Sequence, residues 1–406
     1  MSFEMPLSGG LFTVKWAKVV IKHVILISSI LIACMLIIIS ISVYLWQTTD
    51  EGRLPAKTAV VLHAINNNLV SLDINIRPPA IVSGGGSGGN PLLREDLVIP
   101  VQGGVQIPVR MYRPQGEGPF PILMYYHGGA FIEGYGSLET HDNIIRSLAT
   151  RTNSIVIAPS YRLAPDYVFP TAVEDSYSAI EWAVEHADSF NGDRERLSVV
   201  GDSAGGNIAT VMTLMARDRH GPEISAQVLL YPLTTFQDVP LESREIYDSG
   251  YYLLSRQVMY LARDLYTPDE LMWSHPYTSP LQAEDLSNLP PTLIITAEFD
   301  PLRDEGEAYA ERLAEFDVPV RATRYRGVMH GFISFYEVMQ SGRYGLQETA
   351  SFLRQVNQGT ADIGDAYNLQ VRQPPQGFDR VRDQTEAFAI AAYLIGRSGA
   401  NLFSTP

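Results

Sequence analysis

From residue 96 to residue 325 the chain alternates short, almost wholly apolar runs with stretches whose apolar residues recur at helical spacing. The runs are DLVIPV (96–101), VQIPVRMYR (105–113), PILMYY (121–126), SIVIAPS (154–160), RLSVV (196–200), AQVLLYP (226–232), PTLIIT (291–296) and VPVRATRY (318–325). Between them, segment 171–188 places Val173, Tyr177, Ile180, Val184 and Ala187 on one helical face, and the stretch after 203 does the same with Ile208, Val211, Met212 and Met215. Strands apolar on both sides need cover on both sides. The alternation therefore predicts an α/β architecture, a mostly parallel central sheet with helices on both faces. In such sheets functional groups collect at the carboxyl ends of the strands.

At one of these ends stands GDSAGG (201–206), where a strand pattern hands over to a helix pattern. Glycines there can serve packing alone, by letting backbone elements approach closely. In a GxSxG turn, however, the serine sits on a sharp bend that lifts its hydroxyl off the sheet. The pattern arises by chance in roughly one chain in ten of this size, so Ser203 needs companions. A serine hydroxyl becomes a useful nucleophile only when a base takes its proton and a third group orients that base. Asp300 directly follows PTLIITAEF, and His330 follows VPVRATRYRGVM in MHGF, both carboxyl-terminal to Ser203. The order Ser, Asp, His is that of α/β-hydrolases. An oxyanion hole is also required, because attack on an ester carbonyl develops negative charge on its oxygen. YYHGGAF (125–131) offers glycines after a strand whose N–H groups can point at that oxygen, and the amide of Ala204 can add a donor.

The motifs HGGAF, YRLAPD (161–166), FPTAVED (169–175), GDSAGG, DPLRDE (300–305) and HGF (330–332) occur in this order over roughly residues 92–356. In this the chain resembles the α/β-hydrolases of the hormone-sensitive lipase family. The resemblance implies the α/β-hydrolase fold with a helical cap, and a serine carboxylesterase acting on short to medium acyl esters through an acyl-enzyme, with no cofactor or metal. It implies Ser203 as nucleophile, His330 as general base and then acid, Asp300 as the residue orienting His330, and the amides of Gly128, Gly129 and Ala204 as the oxyanion hole. The family usually reads HGGG, and Ala130 replaces the third glycine. Amidase, lactonase or lipase activity on the same triad is the alternative. A non-catalytic ligand receptor on the same fold is a further one, opposed by the retention of His330.

Residues 24–46, VILISSILIACMLIIISISVYLW, carry no charge. As a helix they extend about 35 Å, enough for a hydrocarbon core of about 30 Å. We read them as an uncleaved transmembrane signal anchor preceded by a cytoplasmic segment, 1–23. Lys15, Lys18 and Lys22 lie before the span, while Asp50, Glu51, Arg53 and Lys57 after it balance, so the catalytic part is expected outside, in a bacterial periplasm. LIAC (31–34) also looks like a lipobox, which would lipidate Cys34 and remove what precedes it. The apolar run continuing past Cys34 favours the anchor.

Residues 47–91 are expected to hold a cap helix (55–72) and a Gly/Ser linker, SGGGSGGN (83–90). A lid insertion at about 234–289 carries Phe236, Tyr247, Tyr251, Tyr252, Tyr260, Tyr266, Trp273 and Tyr277. Most of these read as packing residues, and the excursion could also cover an apolar substrate. The extension 357–406 includes QTEAFAIAAYLIG, too short to span a bilayer, which either docks on the domain or lies at a lipid surface, with docking favoured.

Net charge is −15; the first 46 residues hold three lysines and one glutamate, so the remainder carries −17. That surface repels phosphate backbones, which excludes nucleic acid as a partner and leaves small-molecule esters and, through the amino-terminal helix, membrane lipid. One cysteine permits neither an internal disulfide nor a cysteine-based zinc site. His127 reads as ordering its own loop and Asp202 as structural. Asp304, Glu305 and Glu307 read as the solvated first turn of a helix, and His141, His186, His220 and His275 as surface residues.

Overall fold

The computed structural model describes residues 10–69, 92–363 and 367–401. The linker 83–90 and the last residues of the expected cap helix, 70–72, fall outside them. The chain runs α1 (Gly10–Trp46), a small hairpin of β1 (Thr48–Thr49) and β2 (Gly52–Arg53), and α2 (Ala56–Asn66). The sheet region follows as β3 (Leu92–Pro100), β4 (Gln106–Pro114), β5 (Phe120–Tyr126), α3 (Asp142–Thr152), β6 (Ile155–Pro159), α4 (Thr171–Glu185), β7 (Gly192–Asp202), α5 (Ala204–Asp218) and β8 (Ala226–Leu230). After the insertion, with α6 (Glu242–Ile246) and α7 (Arg256–Tyr266), come β9 (Thr292–Phe299), α8 (Arg303–Glu315), β10 (Val320–Met329), α9 (Gln340–Asn357), β11 (Leu369–Arg372) and α10 (Gly377–Asn401).

Nine strands form one sheet in the order β11-β10-β9-β8-β7-β5-β6-β4-β3. All neighbours are parallel except β3 with β4 and β4 with β6. The period of two along each strand divides the core. Ile122, Met124 and Tyr126 of β5, with Ile155 and Ile157 of β6, face α4 and α5 on one side. Leu123 and Tyr125, with Val156 and Ala158, face α3 and α9 on the other. Because β5, β7, β9 and β10 run in parallel, their carboxyl ends lie along one edge. His127, Ser203, Asp300 and His330 each follow one of them directly.

Helix α1 starts at Gly10, well before the apolar run at 24, so Lys18 and Lys22 lie on the same helix. It is long and apolar enough to cross a membrane by length and composition. Nearly all its described side chains face outward; Ile39 and Val43 are the buried exceptions, packed with Ala56, Val60 and Ala64 of α2 and Ala387, Ala391 and Leu394 of α10. The extension thus docks, on α1 and α2. It also adds β11 beside β10, a strand absent from the sequence reading because its four residues, LQVR, are mostly exposed and show no apolar period.

Two close backbone approaches hold the junction of β7 and α5. A Cβ on Gly201 would meet the carbonyl oxygen of Gly205 at 1.9 Å, and one on Gly205 would meet that of Tyr126 at 2.0 Å. No side chain can yield there, since both obstacles are backbone. Gly205→Ala is therefore expected to destabilise the domain by at least about 3 kcal/mol, the upper range of overpacking costs, measured as a fall in thermal midpoint or loss of soluble protein.

Candidate active site

Strand β7 ends in Asp202, and Ser203 turns the chain into α5 with φ 56° and ψ −119°, a conformation costly for any residue but glycine. Its N–H donates to the Leu230 carbonyl at 2.9 Å, which ties the turn to the end of β8. His330 Nε2 lies 3.0 Å from Ser203 Oγ, and His330 Nδ1 lies 2.8 Å from Asp300 Oδ2. A carboxylate only accepts, so Nδ1 carries the hydrogen and Nε2 is left to accept from the serine hydroxyl. The other carboxylate oxygen, Asp300 Oδ1, accepts the N–H of Leu302 at 2.8 Å. Asp300 is fully buried, and the ring of Tyr231 stands edge-on to His330 with centroids 5.1 Å apart. The imidazole is thereby held from three sides.

The loop after β5 has Gly129, Ala130 and Phe131 in succession at φ 127°, 57° and 61°. Phe131 anchors it, its ring stacked on Tyr266 of the insertion at 4.1 Å between centroids. The oxyanion-hole expectation needs one correction here. The N–H of Gly128 is already donated to Asp202 Oδ1 at 3.0 Å, and a Cβ there would meet Asp202 Oδ2 at 2.6 Å. Among the described residues no hydrogen bond takes the N–H groups of Gly129, Ala130 or Ala204. These three amides, and not that of Gly128, are therefore left to receive a hydrogen-bond acceptor. Ala204 opens α5, where unpaired N–H groups and the helix dipole both favour negative charge.

His141 is not a surface residue. It is buried, with Nε2 3.2 Å from Asp202 Oδ2, while Tyr125 Oη donates to Asp202 Oδ1 at 2.6 Å. Burial pushes the Asp202 carboxyl up, but the charge of His141 and the hydrogen bonds from His141 and Tyr125 outweigh it and leave the carboxyl below its ordinary value. Burial likewise pushes His141 down, and the facing Asp202 charge and hydrogen bonds carry it above. His127 stacks on Tyr161, its Nδ1 2.7 Å from the Gly128 carbonyl oxygen, and burial, then repulsion from His141, lowers it to about 4. Asp202 is thus a bracket between the serine turn and the glycine loop. Sequence spacing could not reveal it, since His141 lies 61 positions away.

A second correction concerns the acids after Asp300. They open α8, but Glu305 is fully buried and pairs with Arg244 of α6 at 2.5 Å, Glu307 pairs with Arg324, and Asp304 accepts the Ser243 N–H at 2.7 Å. They clamp the insertion to the sheet. Among the described residues no group of His, Cys, Asp and Glu could hold a metal ion.

Ser203 and His330 open into a cavity of about 640 Å³, walled by Gly129, Ala130 and Tyr135, by Leu253, Leu254 and Val258 of the insertion, and by Ile65 and Asn68 at the end of α2. The insertion's aromatic residues contribute nothing to this wall. Phe236, Tyr247, Tyr252 and Tyr266 are buried in packing, and aliphatic side chains face the cavity instead.

Residues 123–334, more than half of the chain, match the model of a family described by its α/β hydrolase fold. An arylesterase of Saccharolobus solfataricus is 42% identical over 228 residues, covering 56% of this chain and 73% of that protein. The ethyl acetate hydrolase of Pseudomonas putida is 36% identical over 313 residues, covering 76% of this chain and 96% of the relative. Among solved structures, an esterase of Pyrobaculum calidifontis superposes with a TM-score of 0.63 at 42% identity, over 67% of this chain and 88% of that one. An ester hydrolase from the metagenome of Lake Arreo, complexed with a bipyridine phosphonate derivative, gives 0.66 at 33% identity, over 76% and 100%. The chain belongs to the α/β-hydrolase family, among its hormone-sensitive lipase-like members. It is a serine ester hydrolase, with the activity of a carboxylesterase.

The Asp202–His141 pair sets a pH window. The lowered Asp202 contributes stability above the ordinary aspartate value of 3.8 and loses it as pH falls through its own value. The raised His141 contributes fully below the ordinary histidine value of 6.5 and loses it as pH rises through its own. The thermal midpoint of the wild type should therefore exceed that of His141→Gln most between these two values, and the gap should narrow toward alkaline pH.

Proposed function

We propose that this carboxylesterase is membrane-anchored through α1, acts on short to medium acyl esters, and works through an acyl-enzyme on Ser203. The observation that carries the mechanism is the continuous relay of 3.0 and 2.8 Å contacts from Ser203 through His330 to Asp300, opening on the cavity. Ser203 Oγ attacks the ester carbonyl carbon as its proton passes to His330 Nε2. The carbonyl oxygen gains the electron pair of the broken π bond and is received by the N–H groups of Gly129, Ala130 and Ala204. Asp300 stabilises the imidazolium without taking its proton. Collapse expels the alcohol, which takes the proton from His330. Water, deprotonated by the same imidazole, then attacks the acyl-enzyme and releases the acid, restoring Ser203.

The size of the substrate is supported from two sides. A relative named for ethyl acetate hydrolysis shares 36% identity over most of its length, and the cavity of about 640 Å³ sets aliphatic side chains (Ile65, Leu253, Leu254, Val258) beside polar ones (Glu139, Asn143, Glu337), which suits an ester of modest size. The anchoring is supported by the uncharged run 24–46 within a helix whose side chains face outward. The lysines before that run support a catalytic domain outside the cytoplasm.

A chain-length series of chromogenic esters, with matched amides and lactones, should show highest kcat/KM on short to medium acyl esters. Ser203→Ala should lower turnover on the order of a millionfold; equal hydrolysis by variant and wild type would remove the serine from the mechanism. A reporter fused to the carboxyl terminus should be active when it functions only outside the cytoplasm, and a reporter active only inside would reverse the topology.

A further inference from the structure

Helix α10 carries an apolar stripe that no other part of the described protein covers. At about 100° per residue, Phe378, Val381, Phe388 and Tyr393 fall on one arc, and their exposures are 82%, 59%, 37% and 65%. The opposite arc holds Ala387, Ala391 and Leu394, buried against α1 and α2. Over its middle the helix is apolar on both sides, its charges lying at 379–386 and again at Arg397. Asp379, Arg380, Arg382, Asp383 and Glu386 precede a run, Ala387 to Gly396, with no charge. Glu386 marks the boundary, where it accepts from Lys57 Nζ at 2.7 Å and from Arg382 Nε at 2.9 Å.

The level of this helix against α1 names what covers the stripe. The α1 residues it packs with are Ile39 and Val43, and Ile39 lies seven positions before Trp46, about 10 Å along the axis at 1.5 Å per residue. Both belong to the uncharged run 24–46. If that run spans a bilayer, the uncharged middle of α10, Ala387 to Gly396, lies beside it within the outer leaflet. We propose that α10 is an interfacial membrane helix, with the lipid of the outer leaflet as the partner of its Phe378–Val381–Phe388–Tyr393 stripe; this rests on the proposed span of α1. The exposed apolar surface of α10 then continues that of α1, so lipid meets one unbroken surface. Alanines at the helix contacts, Ala56, Ala64, Ala387 and Ala391, let the three axes approach closely, as helices packed within lipid do. Helices at this boundary bury their apolar faces about 5–10 Å deep, which matches the depth of Val43 and Ile39 below Trp46.

The test uses the full chain in liposomes. Cys34, the only cysteine, is replaced by serine, and single spin-labelled cysteines are introduced as Phe388→Cys and Tyr393→Cys. Ile30→Cys on α1 reports the span itself, and Glu117→Cys, exposed on the catalytic domain, reports water. Ester hydrolysis by each variant verifies its fold. The ratio of collision with lipid-soluble oxygen to collision with a water-soluble nickel chelate should be several-fold higher at positions 388 and 393 than at 117, and similar to that at 30. A lipid-like ratio at 30 with water-like ratios at 388 and 393 would overturn the proposal and leave the span of α1 standing. A water-like ratio at 30 would remove the span, and the proposal with it.

Discussion

The site depends on how closely three backbone segments approach at the head of β7. Gly201 and Gly205 let the chain fold back within contact of the Tyr126 carbonyl, and no residue with a Cβ fits at either place. That approach forces Ser203 to φ 56°, sets Ala204 at the opening of α5, and brings the loop after β5 alongside. The nucleophile turn and the glycine loop are therefore not independently placed. A shift of one would drive backbone into backbone.

Asp202 makes the same coupling electrostatic. Its carboxylate receives the Gly128 N–H, the Tyr125 hydroxyl and the His141 ring within a buried pocket, so its charge is satisfied by groups from β5, the following loop and the start of α3. An unpaired carboxylate there would be costly. Paired as it is, it leaves the next amides, those of Gly129 and Ala130, free to meet a substrate oxygen.

Much of this was legible in the residues themselves. The apolar runs marked β5 to β10 because parallel strands buried on both faces cannot hide their composition, and they marked the antiparallel β3 and β4 as well, although β3 is largely exposed; the Ser203–Asp300–His330 order followed from their places at strand ends. Most of what escaped shares one physical cause, dependence on a partner distant in sequence. His141 looks like any surface histidine until Asp202 faces it, and Glu305 reads as a solvated helix turn until Arg244 arrives from the insertion. That the Gly128 amide is already occupied has the same origin, because the aspartate that takes it stands 74 positions away. Strand β11 escaped for a different reason, being an exposed edge with almost nothing to bury.

Helix α2 belongs to both halves of the molecule. His63 stacks on Trp46 at the end of α1 with ring centroids 3.8 Å apart, and two residues later Ile65 forms part of the cavity wall. For an enzyme tethered through α1, the catalytic serine would ride at a set height above the lipid headgroups instead of swinging on a loose stalk. Encounter with amphiphilic esters then becomes a search in two dimensions, governed by how many molecules occupy each patch of membrane and not by their concentration in solution.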